Sequence, residues 1–228
     1  MSITTEFNEK KSTLDVKINS FDDIVKDGEL TDDFMENLYK GYKEAEDLER
    51  TRRMNELKPV RRLMRHVREK IGREKKEYEL PVKEIHLYPS SRSSLKTADI
   101  INVTNKSVGS EADYSRAMAD RWELVGDVAV GTDLLIDLSA LGTGIYQGVS
   151  TGQVEKGIEG FGYLAACGMA LLVGYFIARI VGEEPYKRKN RYLTHILETP
   201  VTLHRSGGQK IRFYPNSEKN GHISDSQI

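Results

Sequence analysis

The chain has 228 residues, 30% of them charged, and its 34 Lys and Arg nearly balance its 35 Asp and Glu. A net charge of −1 selects no partner by itself, and the length suits one ordinary domain or two small ones. A single cysteine, Cys167, excludes an intrachain disulfide and with it a secreted disulfide scaffold.

Residues 1–19 read as a polar tail. Their mixed charges lack the basic start and apolar core of a cleavable signal. Residues 20–80 read as a charge-segregated helical region. Thr31 followed by Asp32 and Asp33 predicts an N-cap with acids in the first turn, where the helix dipole favours them. Phe34, Leu38, Tyr42, Ala45 and Leu48 then recur at steps of three or four, which is one apolar stripe. Pro59 interrupts that helix, and Val60, Leu63, Met64, Val67 and Ile71 mark a second. Charge is blocked along this region: residues 1–49 hold 14 acids against 6 lysines, and residues 50–76 hold 12 Lys and Arg against 3 Glu. The basic face, led by Arg61, Arg62, Arg65 and Arg68, suits anionic lipid, nucleic acid, or pairing with the preceding acidic block.

Residues 81–110 read as a strand plus a polar linker. In "EIHLYPSS" (84–91) the apolar Ile85 and Leu87 alternate with polar neighbours. Residues 111–133 read as an amphipathic helix. Residues 134–182 then read as a transmembrane hairpin. The second half of it is the stronger: residues 161–182 carry no charge before Arg179 and, at about 20 residues per span, are long enough to cross a bilayer. The first half is uncharged from Leu138 to Val154 but holds five Ser, Thr or Gln and four glycines over 134–152. Small residues recur at every fourth position in both halves: Ala140, Gly144, Gly148 and Gly152 in one, and Gly162, Ala166, Ala170, Gly174, Ala178 and Gly182 in the other. Such ladders let helix backbones approach within lipid, so they are the candidate packing surface. Asp137 and Arg179 fall at matching distances from the turn and form a candidate charge pair at one membrane face.

Residues 183–228 read as a tail with a β-hairpin, "VTLHR-SGGQ-KIRFY". The likeness of "EIHLYPSS" to "KIRFYPNS" predicts that residues 83–88 join that hairpin in a small sheet. His86 and His204 then fall on its polar face as neighbours, too few ligands for a metal site.

The expected fold is therefore mainly α: an integral membrane helical hairpin of two spans, a helical N-terminal region, and a small antiparallel β-element near the C-terminus. Lys and Arg counts in the flanks place both termini in the cytoplasm. No phosphate-binding GxxxxGK[ST], GxSxG, HExxH or CxxC motif occurs, so no catalytic, cofactor or metal residues are expected. The expected function is a non-enzymatic anchor, scaffold or assembly subunit acting through close helix packing, with the lipid bilayer and either further copies or another membrane-complex subunit as partners. Two further readings stay open. One is a membrane-penetrating or pore-forming protein (toxin, holin or virion ejection component) with a masked hydrophobic hairpin. The other is a membrane tether for nucleic acid.

Overall fold

A computed structural model describes residues 3–57, 59, 61, 79–90, 97–153, 155, 158, 162, 169, 171–205 and 208–216. The chain divides into two compact units: residues 1–111 with 192–228, and residues 112–191, which enter the chain between two strands of the first.

The first unit is built on a five-stranded mixed sheet. Strands β1 (Thr4–Asn8) and β2 (Thr13–Ile18) form an antiparallel hairpin. Strand β5 (Glu84–Pro89) lies parallel to β2 on one side and to β6 (Val201–His204) on the other, and β6 turns back antiparallel into β7 (Lys210–Phe213). The order is β1-β2-β5-β6-β7, while β3 (Val25–Lys26) and β4 (Glu29–Leu30) pair separately. Alternation decides which face is buried. Leu14, Ile85, Val201 and Phe213 stand in one row across the strands, and Val16, Leu87, Leu203 and Ile211 in the next. All but Ile211 are buried.

Helix α1 (Asp32–Asn55) lies against β1 and β2. Its start is fixed as the sequence implies: the Phe34 N–H donates to Thr31 Oγ1 at 3.4 Å, with Asp32 and Asp33 in the first turn. Phe34, Leu38, Tyr42 and Ala45 form its buried stripe, joined by Met35. Gly41 is there because the sheet comes so close. A Cβ at that position would sit 2.5 Å from Thr5 Cγ2 and 2.7 Å from Leu14 Cδ1. Tyr42 is fully buried, its ring against Tyr192 and His195 and its hydroxyl 3.2 Å from His195 Nδ1. On the exposed side, Arg52 and Arg53 pair with Glu49 at 3.4 and 2.6 Å, so the basic segment and the acidic block meet along one helix.

Burial drives the Tyr42 phenol far above its ordinary value of 10. Burial does the same for Tyr39, helped by the nearby Glu111 carboxylate. A folded-state value above the unfolded one contributes stability below pH 10 that is lost as pH rises further. Alkaline titration followed by phenolate absorbance should therefore show two tyrosines ionising only with unfolding. Smooth ionisation of every tyrosine in the native protein would contradict their burial.

These elements correct the expected fold class. The chain is mixed helix and sheet, not mainly α, and residues 4–18 of the expected tail are two strands, their Leu14, Val16 and Ile18 alternating with polar partners. The two-span membrane hairpin is corrected as well. Among the described residues no helix is long and apolar enough to cross a membrane, so the integral membrane location, with both termini cytoplasmic, is overturned. In 134–152 the polar residues, glycines and Asp137 lower the mean hydropathy, and the described run 171–182 of the second half is short and carries Arg179. Residues 161, 163–168 and 170 of that half lie outside the described residues.

Candidate functional site

The second unit is a helical hairpin. Helix α2 (Thr97–Thr151) begins in the first unit and runs through the second. The returning strand of the hairpin is helical from residue 171, widens to a π-helical turn over Ala178–Glu183, and continues as α3 (Glu184–Glu198). The two helices run antiparallel: Tyr114, Trp122 and Gly126 meet Tyr186, Gly182 and Tyr175 in turn, and the long Lys187 side chain reaches Glu123 from outside that register. Tyr114 meets Tyr186 edge-on at 6.4 Å, Glu123 binds Lys187 at 2.9 Å, Gly182 lies on Trp122, and Gly126 lies on the Tyr175 ring.

On α2 the seam is Ala112, Ser115, Ala119, Trp122, Gly126, Ala129, Asp133, Ile136, Ala140 and Thr143, all buried or half-buried. Its steps alternate three and four, the spacing that keeps one face of a helix toward a partner. Most of these residues are small, and the glycines mark the closest approach. A Cβ on Gly182 would lie 2.2 Å from the Trp122 ring, and one on Gly126 would lie 3.2 Å from Tyr175. The π-helical turn, whose Glu184 N–H bonds back to the Arg179 carbonyl, lies where the indole meets the backbone. Asp133 is only 7% exposed, and its Oδ1 has no hydrogen-bond partner among the described residues.

The small-residue ladders meet this seam only in part. Ala140, Ala178 and Gly182 are buried, Gly182 against Trp122, whereas Gly144 and Gly148 are half-buried. Gly152 ends α2 in the left-handed region at φ +65°, while Gly162 and Gly174 are exposed with no atom near a would-be Cβ. Ala166 and Ala170 lie outside the described residues. Asp137 is exposed, and Arg179 donates to the Tyr175 hydroxyl at 3.0 Å. Among the described residues no ion pair joins Asp137 to Arg179. Of the basic face, Arg61 is exposed, and Arg62, Arg65 and Arg68 lie outside the described residues.

What the outer side of the hairpin presents is apolar. Leu124, Val128, Leu134, Leu135, Leu138, Leu141, Ile145 and Val149 on α2 are each more than half exposed, as are Val173, Phe176, Ile177, Ile180 and Val181 on the returning helix. Monomeric proteins rarely expose contiguous apolar patches beyond a few hundred Å². Compared with known protein families, curated proteins and solved structures, the chain matches none.

The polar face of the sheet carries a second cluster. Asp15, His86, Thr202 and Arg212 form one cross-strand row. The His86 ring faces Asp15 at 3.4 Å, Glu84 at 3.5 Å and the Tyr88 hydroxyl at 3.1 Å. His204 lies 5.1 Å from His86 and stacks on Tyr88 at 4.2 Å, so the two histidines are neighbours as the strand pattern implies. Burial lowers the His204 value, and the nearby His86 and Lys210 lower it further. Burial opposes ionisation of Glu84, but the Thr202 hydroxyl at 2.5 Å, Arg212 and His86 together hold it below its ordinary range. Among the described residues no group of three or more His, Cys, Asp or Glu is arranged to hold a metal.

Proposed function

We propose that the protein is an assembly or scaffold subunit whose helical hairpin is its association module. A single observation carries this reading: the outer faces of the hairpin expose a long series of large apolar side chains between Leu124 and Val149 and between Val173 and Val181. The inner seam is already occupied by its own partner helix, and among the described residues nothing covers these outer side chains, so a second molecule docked on them would bury them. At about 25 cal/mol per Å², even half their area contributes several kcal/mol to association. The mixed sheet unit is the folded body that such assembly brings together.

Sedimentation velocity over a range of concentrations tests the reading. The protein should self-associate, and Leu138→Glu should shift it toward the monomer, because a carboxylate in a dry helix interface loses its hydration. A monomer at every concentration would overturn it. So would a monomer that instead collects on neutral phosphatidylcholine vesicles, which would make lipid the occupant of the apolar face.

A further inference from the structure

The outermost stripe of α2 has an order of its own. Leu124, Val128, Gly131, Leu135, Leu138, Gly142, Ile145 and Val149 follow one another at steps of four and three, on the side away from the intramolecular seam. None of these eight positions is charged; the exposed Asp127 flanks the stripe beside Val128 and in an antiparallel pair would face the margin at Tyr146. Read from either end the stripe is the same in size: large, large, small, large, large, small, large, large. Its centre of symmetry lies between Leu135 and Leu138. The six large members are 58% to 80% exposed, and nothing lies within 4 Å of a would-be Cβ on Gly131 or Gly142.

A size palindrome at heptad spacing is what a two-fold antiparallel pairing of one helix with its own copy requires. In an isologous interface residue i meets residue j while j meets i, so the stripe must be self-complementary on reversal. We infer that a second copy of this chain docks on this stripe, antiparallel, about an axis passing between Leu135 and Leu138. The inference rests on the association reading above and names its partner and geometry. The layers are then Leu124 with Val149, Val128 with Ile145, Gly131 with Gly142, and Leu135 with Leu138, each occurring twice. The two glycine layers let the backbones approach, and the aliphatic layers beside them interlock as knobs and holes.

The exposed area is of the order a stable interface draws on. The stripe rises about 38 Å along the helix at 1.5 Å per residue. Its six large side chains, with Val125, Leu134, Leu141 and Tyr146 at the margins, offer roughly 100 Å² each, or about 1,000 Å² per copy. A stable interface needs about 800 Å² per partner. A parallel copy would bring the same positions together without using the reversal symmetry.

Two sets of variants test the geometry in the full chain, with Cys167→Ser removing the native thiol. Val128→Cys combined with Ile145→Cys should give a covalent dimer with a short bismaleimide, since paired helices lie about 8–10 Å apart. Val128→Cys alone should not, because the two copies of position 128 stand about 25 Å apart along an antiparallel pair. Leu135→Glu and Leu138→Lys should each weaken the dimer tenfold or more, about 1.4 kcal/mol or above. An equimolar mixture of the two should restore it, because position 135 of one copy faces position 138 of the other. Crosslinking through Val128→Cys alone, or a dimer in sedimentation that neither crosslinks in the double variant nor is restored by mixing, would overturn this geometry and leave the association reading standing. Absence of any dimer in sedimentation would overturn both.

Discussion

Replacing Tyr42 with alanine should destabilise the sheet unit by about 3–5 kcal/mol, the range for deleting a large buried aromatic side chain. Tyr42 is fully buried and touches elements far apart in sequence: its ring lies 5.8 Å from that of Tyr192 and 5.6 Å from that of His195. The cavity would open under α1 where Gly41 is already pressed on Thr5 and Leu14, so the helix has little freedom to settle inward. Tyr42→Phe separates packing from polarity. It keeps the ring and removes the hydroxyl 3.2 Å from His195 Nδ1, which should cost about 1 kcal/mol. Urea unfolding followed by amide exchange on the strands measures both. The sole tryptophan, Trp122, lies in the other unit and gives a separate signal for the hairpin. A loss below 1 kcal/mol for the alanine variant would mean that the helix is not anchored at this residue.

The elements that were legible in the sequence are those whose own period was strong. Phe34, Leu38, Tyr42 and Ala45 repeat at helical spacing behind a Thr31 cap, and α1 follows from them. The alternation in "EIHLYP" and "VTLH" likewise produces adjacent strands, with His86 beside His204. Strand β2 was hidden although Leu14, Val16 and Ile18 alternate correctly. Its stripe is only three residues deep, and Asp15 and Lys17 between them read as part of a polar tail. Its pairing with β5 is long-range, so no local signal announces it.

The hairpin was legible as a helix pair and misread in what surrounds it. Four-residue steps advance about 400° around a helix of 3.6 residues per turn, so each step drifts some 40° from the last. Two steps carry Gly148 about 80° away from Ala140, and the structure shows this drift: Ala140 is buried, whereas Gly144 and Gly148 are half-buried. Alternating three and four almost cancels the drift, and that spacing runs through Trp122, Gly126, Ala129 and Asp133, none of which belongs to the ladder. Apolar residues on two sides of one helix also raise the local hydropathy. One side fills the seam and the other forms the outer stripe, a pattern that a simple count of apolar residues cannot distinguish from a membrane span.

Gly182→Ala is the sharpest test of that seam, with an expected loss of about 1–3 kcal/mol in the hairpin unit. The added Cβ would fall 2.2 Å from Trp122 Cδ2 and 2.6 Å from both Cε2 and Cε3, inside the body of the indole. A flexible chain end could swing away, but a ring held across its width must tilt or push the helices apart. The Lys187 bond to Glu123, one turn from this contact, would then lengthen beyond its 2.9 Å. Trp122 fluorescence should shift as the indole meets more water. Trp122→Leu alone leaves a void where the indole lay, yet combined with Gly182→Ala it makes room for the new methyl. The double variant should therefore be more stable than the sum of the two losses implies, since residues in direct contact do not act additively. Strict additivity, or a Gly182→Ala protein with unchanged unfolding and emission, would show that the helices do not close on this glycine. The same measurement bears on assembly, because a hairpin forced apart at Gly182 loses the rigid α2 face on which a second copy is inferred to dock.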